Sequence, residues 1–336
     1  MDLLLNDDQV ALRESVARFL AKASSPERVR AAEPGGFDPA VWQGLADMGV
    51  PVMAVPEHLG GGGASLADVA VVVHQCGLHL APSPVVEAVV ANRLLAALGR
   101  ELDESAVTTL ALRPPVGRTA RLVPGASVAT AVLALDGDRV VLAERTVDPL
   151  AAGGPRNLGN APLADVDLAA AVEVASDPEA TSFYAIALDE WRALTALWLH
   201  GLGRAALDIG VQYTKERQQF GVPIATFQSV AHRLADLHTD LDGAWLLAQE
   251  AVWALDEGEQ RGPEFASGAF IFSGETAERS AAAALHYHGG YGFMEEYDIQ
   301  LYFRRAKATR LLLGDPGHEL QVLADRLWGP PEQASA

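Results

Sequence analysis

The sequence predicts a mostly α-helical protein with a small β unit set between two helical regions. Two observations carry this expectation. Apolar residues recur at helical spacing from about Asp7 to Arg100 and again from about Thr181, whereas about Thr108 to Val174 holds short apolar runs broken by turn residues. The second helical region consists of long elements joined by short connections, the pattern of a four-helix-type bundle. At 336 residues, 49% of them hydrophobic, the chain has enough apolar material for more than one domain. The expected division is a helical domain over 1–107, a β domain over 108–180, a helical bundle over 181–328 and a frayed tail over 329–336.

The elements follow from local signals. Asn6 or Asp7 can cap a first helix, with Val10, Leu12, Val16, Phe19 and Leu20 on one face. Asp38 followed by Pro39 marks the start of another, which carries Trp42, Leu45 and Met48 and stops at Gly49. Four glycines, Gly60 to Gly63, lack the lysine and hydroxyl of a phosphate-binding loop and read as a turn. Ser65-Leu66-Ala67-Asp68 is a capping pattern for the next helix, which Pro82 and Pro84 end, and Val85 to Leu98 supplies one more. Asp136-Gly137 between the runs Val128–Leu135 and Val140–Ala143 signals a hairpin. Ala169 to Val174 is a further strand candidate, and Gly153-Gly154-Pro155 reads as a turn. Beyond Thr181 one helix carries Leu194, Leu197, Trp198, Leu202, Ile209 and Tyr213, with Gly201, Gly203 and Gly210 allowing close helix approach. Two more helices run over about 228–257 and 263–287.

Composition narrows the partners. A formal charge of -19 argues against nucleic acid, which needs clustered Lys and Arg. The single cysteine, Cys76, sits in an apolar run, forms no internal disulfide and reads as a buried thiol. No apolar stretch is long enough to span a bilayer and no secretory signal is visible, so a cytoplasmic location is expected, without membrane, nucleic-acid or metal partners.

Two segments could carry chemistry. The first is Glu216-Arg217-Gln218-Gln219-Phe220-Gly221, followed by Phe227-Gln228, between two long helical patterns. An arginine fork pairs bidentately with phosphate oxygens and needs a turn to leave the helix axis. Taken alone, Arg217 could equally be a surface charge beside a chain reversal. The second is His286-Tyr287-His288-Gly289-Gly290-Tyr291-Gly292, continuing to Arg304-Arg305-Ala306-Lys307. Taken alone, it reads equally as a helix-ending glycine turn with core-facing histidines.

Together these segments resemble the flavin-contact segments of the acyl-CoA dehydrogenase family, and the resemblance extends over essentially the whole chain. It implies that family's fold, with a shortened β domain, and FAD as cofactor. It implies that Arg217 holds the FAD pyrophosphate across a subunit interface, that Phe220 lines the flavin and that Gln228 hydrogen-bonds the cofactor. Gly289 and Gly290 would let the backbone approach the adenine half of a neighbour's FAD, with His286 where the family usually has Gln. Arg304 matches the family's arginine, and Arg305 stands where Asp is frequent. The implied reaction is α,β-dehydrogenation of an acyl-CoA thioester, with a carboxylate taking the α-proton.

The family's usual catalytic Glu falls at Leu313, and its alternative position falls at Trp191; neither side chain accepts a proton. Asp189 and Glu190 are neighbours of Trp191, but successive helical residues point about 100° apart. The sequence patterns that cover the flavin ring in the family are missing from the β unit. The leading expectation is therefore a base-lacking subunit of the heteromeric, actinobacterial type that acts on steroid side chains. It would complete the FAD site of a base-bearing partner in a heterotetramer; a homo-oligomer is the other assembly considered. A self-sufficient enzyme using Asp189 or Glu190, and a cofactor-free helical scaffold, are the alternatives. The catalytic residue and the acyl group are left unassigned.

Overall fold

The computed structural model describes residues 4–102, 106–148 and 154–329. The turn expected at Gly153 and the tail beyond Gly329 fall outside them. Five helices come first: α1 (Asp7–Ala23), α2 (Pro26–Ala32), α3 (Pro39–Asp47), α4 (Leu66–Leu78) and α5 (Val85–Ala97). Asn6 caps α1 in a reciprocal box with Gln9, and Ser65 caps α4 in the same way with Asp68. The short α2 was not expected from periodicity. Its signal is local, Ser25 as N-cap and Pro26 at the first helical position.

Six strands follow: β1 (Thr108–Leu110), β2 (Thr119–Val123), β3 (Ala131–Asp136), β4 (Arg139–Glu144), β5 (Ala164–Asp167) and β6 (Val172–Ala175). β3 and β4 form the expected hairpin, in register from Ala131↔Glu144 to Asp136↔Arg139, with Gly137 at φ +67° in its turn. They lie inside a four-stranded sheet of order β1-β3-β4-β6, while β2 and β5 pair separately. The strand expected from Ala169 begins only at Val172, because Ala169 and Ala170 form the turn before it. Phe37, Trp42 and Ala88 pack into the β unit's own core and tie it to the first helices.

The C-terminal region comprises α6 (Pro178–Glu216), a two-residue hairpin of β7 (Gln218–Gln219) and β8 (Val222–Pro223), α7 (Gln228–Asp256), α8 (Gly262–Tyr287), α9 (Ile299–Thr309) and α10 (Pro316–Trp328). α6 packs along both α7 and α8, and α9 closes against α6 and α8. A Cβ on Gly203 would lie 2.9 Å from the Cα of Ala277, and one on Gly210 would lie 3.0 Å from the Cα of Ala284. Equal steps of seven residues on both helices show that α6 and α8 run parallel, so their C-terminal ends lie together. One apolar core joins the first helices to α6 and α8, from Val16 to Leu313. Tyr184 pins α6 to the sheet by donating to the carbonyl of Ala111 at 2.7 Å.

Where α4 crosses α6, a histidine pair, His200 buried and His74 partly so, stacks beside Trp245. His74 Nε2 lies 2.9 Å from His200 Nδ1, so at most one proton is shared between these two atoms. Burial pushes His74 down from 6.5 to about 3, with the His200 and Arg13 charges adding to it; burial pushes His200 down to about 4, with Arg204 adding and Asp242 opposing. Both folded values lie below the unfolded one, so the unfolded chain binds the extra protons as pH falls. The pair's stabilisation is complete above about pH 6.5 and declines toward pH 4 with a slope of up to about 2.7 kcal/mol per pH unit, two protons' worth. Urea denaturation at stepped pH should show this decline, and the double variant His74→Gln/His200→Gln should flatten it. An unchanged slope in that variant would remove the pair as its source.

Candidate functional site

The six residues of the flavin-contact segments gather at one end of the bundle. Arg217 is the C-cap of α6, Gln228 opens α7, and Gly289 and Gly290 begin the 3-10 turn after α8. Tyr213, one turn before Arg217, stacks on His288 with ring centroids 3.9 Å apart, which fixes the α6 end against the glycine turn. Arg217, Phe220, Gln228, His286, Gly289 and Gly290 are all exposed.

The β7–β8 turn places two consecutive residues at positive φ, Phe220 at 54° and Gly221 at 83°. A bulky residue in the left-handed region is strained, and here the strain holds an aromatic ring outward, 93% exposed. Gly289 also has positive φ, at 61°, and a Cβ on Gly289 or Gly290 would meet nothing within 4 Å. The glycines leave an open backbone cradle, and the same end of the bundle carries Arg217, whose side chain is without an ion-pair partner among the described residues, a polar amide and an outward ring. That set offers charge, hydrogen bonding and an exposed ring at one end of the bundle, the chemistry that a phosphate-bearing aromatic cofactor requires.

The positions where the family keeps its base lie elsewhere, around a cavity of about 320 Å³ between the start of α5, the β2–β3 loop, α6 and the end of α9. Leu313 is 5% exposed and packs into the main core, while its neighbours Leu311 and Leu312 line the cavity. Trp191 lines it with no exposed surface, its ring tilted against Phe270. Thr195 and Trp198 continue that stripe at helical spacing, so α6 turns one ridge toward the cavity.

Asp189 and Glu190 therefore point elsewhere, and both are engaged. Glu190 accepts from Arg93 through both oxygens, at 3.0 and 2.7 Å. Asp189 is held at 3.0 Å by Arg192 and at 2.8 Å by Arg326. Arg192 also pairs with Glu319 of α10 at 2.9 Å, so Asp189 belongs to a buried four-charge cluster that docks α10 on α6. Burial raises the Asp189 carboxyl against the pull of both arginines. Neither carboxylate reaches the cavity, and the reading that either serves as an internal base loses its geometry.

The basic stripe is paired. Arg304 and Arg305 both bind Glu33, the C-cap of α2, while Lys307 and Arg310 both bind Glu278 of α8. Cys76 is fully buried and its thiol is pushed up to about 12 by desolvation, which makes it inert. Among the described residues, no group of three or more His, Cys, Asp or Glu is placed to hold a metal, and no helix is long and apolar enough to cross a membrane.

One cavity carboxyl escaped sequence reasoning. Glu87 lies on α5 facing α6, and its Oε1 accepts from Trp191 Nε1 at 3.1 Å. Its signal was present, a single acid inside the apolar run Val85-Val86-Glu87-Ala88-Val89-Val90.

Comparison with known proteins identifies relatives over the whole chain. The models of the acyl-CoA dehydrogenase N-terminal and C-terminal domains match residues 6–102 and 184–328. The chain is 31% identical over 332 residues to acyl-CoA dehydrogenase IpdE2 of Mycobacterium tuberculosis, covering 97% of this chain and 99% of that protein. Among solved structures it is similar to the Tcur3481-Tcur3483 steroid ACAD G363A variant, with TM-score 0.83, 26% identity and coverage of 96% and 98% of the two chains. It is also similar to the ChsE4-ChsE5 complex from Mycobacterium tuberculosis, with TM-score 0.80, 25% identity and coverage of 98% and 100%. Members of this family are FAD-dependent oxidoreductases of acyl-CoA thioesters. On two matching domains and a full-length relative, the chain belongs to the acyl-CoA dehydrogenase family.

Proposed function

We propose that this chain is the base-lacking subunit of a heteromeric acyl-CoA dehydrogenase and completes the FAD site of a base-bearing partner. The observation that carries the reading is a division within the molecule. The residues expected to meet the phosphate and adenine sides of FAD are exposed at one end of the bundle, while both base positions hold buried side chains that accept no proton. The similar solved structures support it, because their names pair two different chains, ChsE4 with ChsE5 and Tcur3481 with Tcur3483. The word steroid in one of them supports a bulky acyl group as substrate.

In this reading Arg217 would pair with the pyrophosphate, Phe220 would cover the flavin edge, Gln228 and His286 would hydrogen-bond the cofactor, and Gly289 and Gly290 would admit the adenine half. FAD when bound supplies hydride acceptance. This chain contributes binding and water exclusion, and the partner supplies the carboxylate that takes the α-proton.

The test is the flavin content of the chain purified alone and after co-expression with a base-bearing homologue. Little flavin alone and near-stoichiometric flavin in an active pair is the expected result. In that pair Arg217→Ala should weaken FAD retention by roughly 10- to 100-fold, the effect of losing a charge-assisted contact. Near-stoichiometric flavin in the chain alone would overturn the shared site. Absence of flavin with every partner would leave the helical scaffold.

A further inference from the structure

A second pocket lies between the start of α1, the start of α4 and the end of α7. It measures about 380 Å³ and shares no lining residue with the cavity beside α6. At about 1.5 Å of rise per residue, α7 carries Trp253 of this pocket roughly 40 Å from Gln228. The pocket holds two carboxylates, Asp256 and Glu257, and its lining has no lysine, arginine or histidine. Asp256 accepts from the amides of Leu66 and Ala67 at 2.9 Å, whereas Glu257 forms no ion pair among the described residues. Arg93, whose charge acts on Asp256, is spent on Glu190 and the Ala54 carbonyl.

Two acids at a helix end are ordinarily a solvated surface, but here a buried amide stands beside them. Gln249 lines the pocket one turn before Trp253 and is only 9% exposed, yet its carboxamide has no hydrogen-bond partner among the described residues. The other uncharged polar groups of the lining are engaged: Gln9 and Ser65 both donate to Asp68. Buried amides are ordinarily bonded, so Gln249 marks a place where a ligand supplies the partner. Trp253 adds an aromatic wall, and Leu4 and Leu5 add an apolar one. An accepting amide oxygen, an uncommitted carboxylate and an indole together select a planar cation. A guanidinium donates N–H groups within its plane and lays its weakly hydrated face on an aromatic ring, which a compact ammonium does less well.

We propose that this pocket binds an alkyl guanidinium, with the charged head between Gln249, Glu257 and Trp253 and the stem along Leu4 and Leu5. The chemistry has two sources, the arginine side chain of another polypeptide and a free alkylguanidine. The pocket stands apart from the flavin-contact residues, so either reading can fail alone.

Binding of N-butylguanidinium and of N-butylurea to the full chain tests it, because the two are planar and nearly isosteric but only the first is charged. Titration calorimetry gives the affinities, and the ¹⁵N-labelled indole signal of Trp253, assigned with Trp253→Phe, reports the place. Butylguanidinium should bind about tenfold more tightly than butylurea, the worth of a charge-assisted contact, and should shift the Trp253 indole signal. Gln249→Leu should weaken it about fivefold while leaving every charge in place, a loss that general attraction to an acidic chain would not show. Glu257→Gln, at an exposed position, should weaken it about as much and serves if Gln249→Leu does not fold. Nα-acetylarginine amide binding as tightly as butylguanidinium would assign the site to a polypeptide's arginine, and its exclusion would assign it to a free alkylguanidine. Equal binding of the guanidinium and the urea, no binding of either, an unshifted Trp253 signal, or unchanged affinity in either folded variant would overturn the proposal.

Discussion

Replacing Arg192 by methionine is expected to lower stability by about 3–5 kcal/mol, the cost of removing one member of a buried ion cluster and leaving its partners uncompensated. Among the described residues, Arg192 alone touches both carboxylates: it holds Asp189 within α6 and reaches Glu319 on α10. Arg326 alone could not replace it, because its described partners are Asp189, Ser267 and the Pro263 carbonyl, not Glu319. The loss should therefore fall first on α10, which otherwise rests on α8, where Arg326 bonds the Pro263 carbonyl and Ser267, and which leaves Leu320, Leu327 and Trp328 exposed. Urea denaturation measures the total, and hydrogen exchange along α10 locates it. A change below about 1 kcal/mol, the size of an exposed pair, would show that water already solvates the cluster.

The second large effect is expected from Gly201→Ala. Alanine favours a helix by about 1 kcal/mol over glycine, so an exposed site would gain stability. Here a new Cβ would sit 2.4 Å from the His74 carbonyl oxygen and 2.9 Å from the Leu78 amide nitrogen, both backbone atoms of α4. Neither can swing aside, so α4 and α6 must separate, and a net loss of about 2–3 kcal/mol is expected. Gly77→Ala makes the same clash from the other side, 2.0 Å from the Trp198 carbonyl oxygen. One separation relieves both, so the double variant should cost clearly less than the sum. Strict additivity would mean that the two crossings are independent.

Much of this architecture was legible because its signals are local. The Asn6 and Ser65 caps, the Asp38-Pro39 start and the Asp136-Gly137 hairpin each depend on residues a few positions apart. The glycines of α6 were legible as close-approach positions, though their partners on α4 and α8 were not. The pairs that decide which carboxylates are free are long-range, Glu190 with Arg93 and Arg192 with Glu319, and no periodicity announces them. For the same reason Asp189 and Glu190 looked available in sequence, and Glu87 went unnoticed until α5 and α6 were seen to face each other. The missing base was legible by position alone, at Leu313 and Trp191. That the expected contact residues share one end of the bundle required the parallel run of α6 and α8.

The start of α4 carries a consequence for the order in which the chain is made. Its first free amides, those of Leu66 and Ala67, are each satisfied at 2.9 Å by the carboxylate of Asp256, at the far end of α7. About 190 residues separate these partners, and the core beneath α4 is shared with α6 and α8. At roughly 5–20 residues per second of synthesis, the first helices leave the ribosome roughly 10–40 seconds before the residue that caps them exists. During that interval the apolar surface that packs on α6 and α8 has no native cover, so the nascent amino-terminal half is expected to expose it.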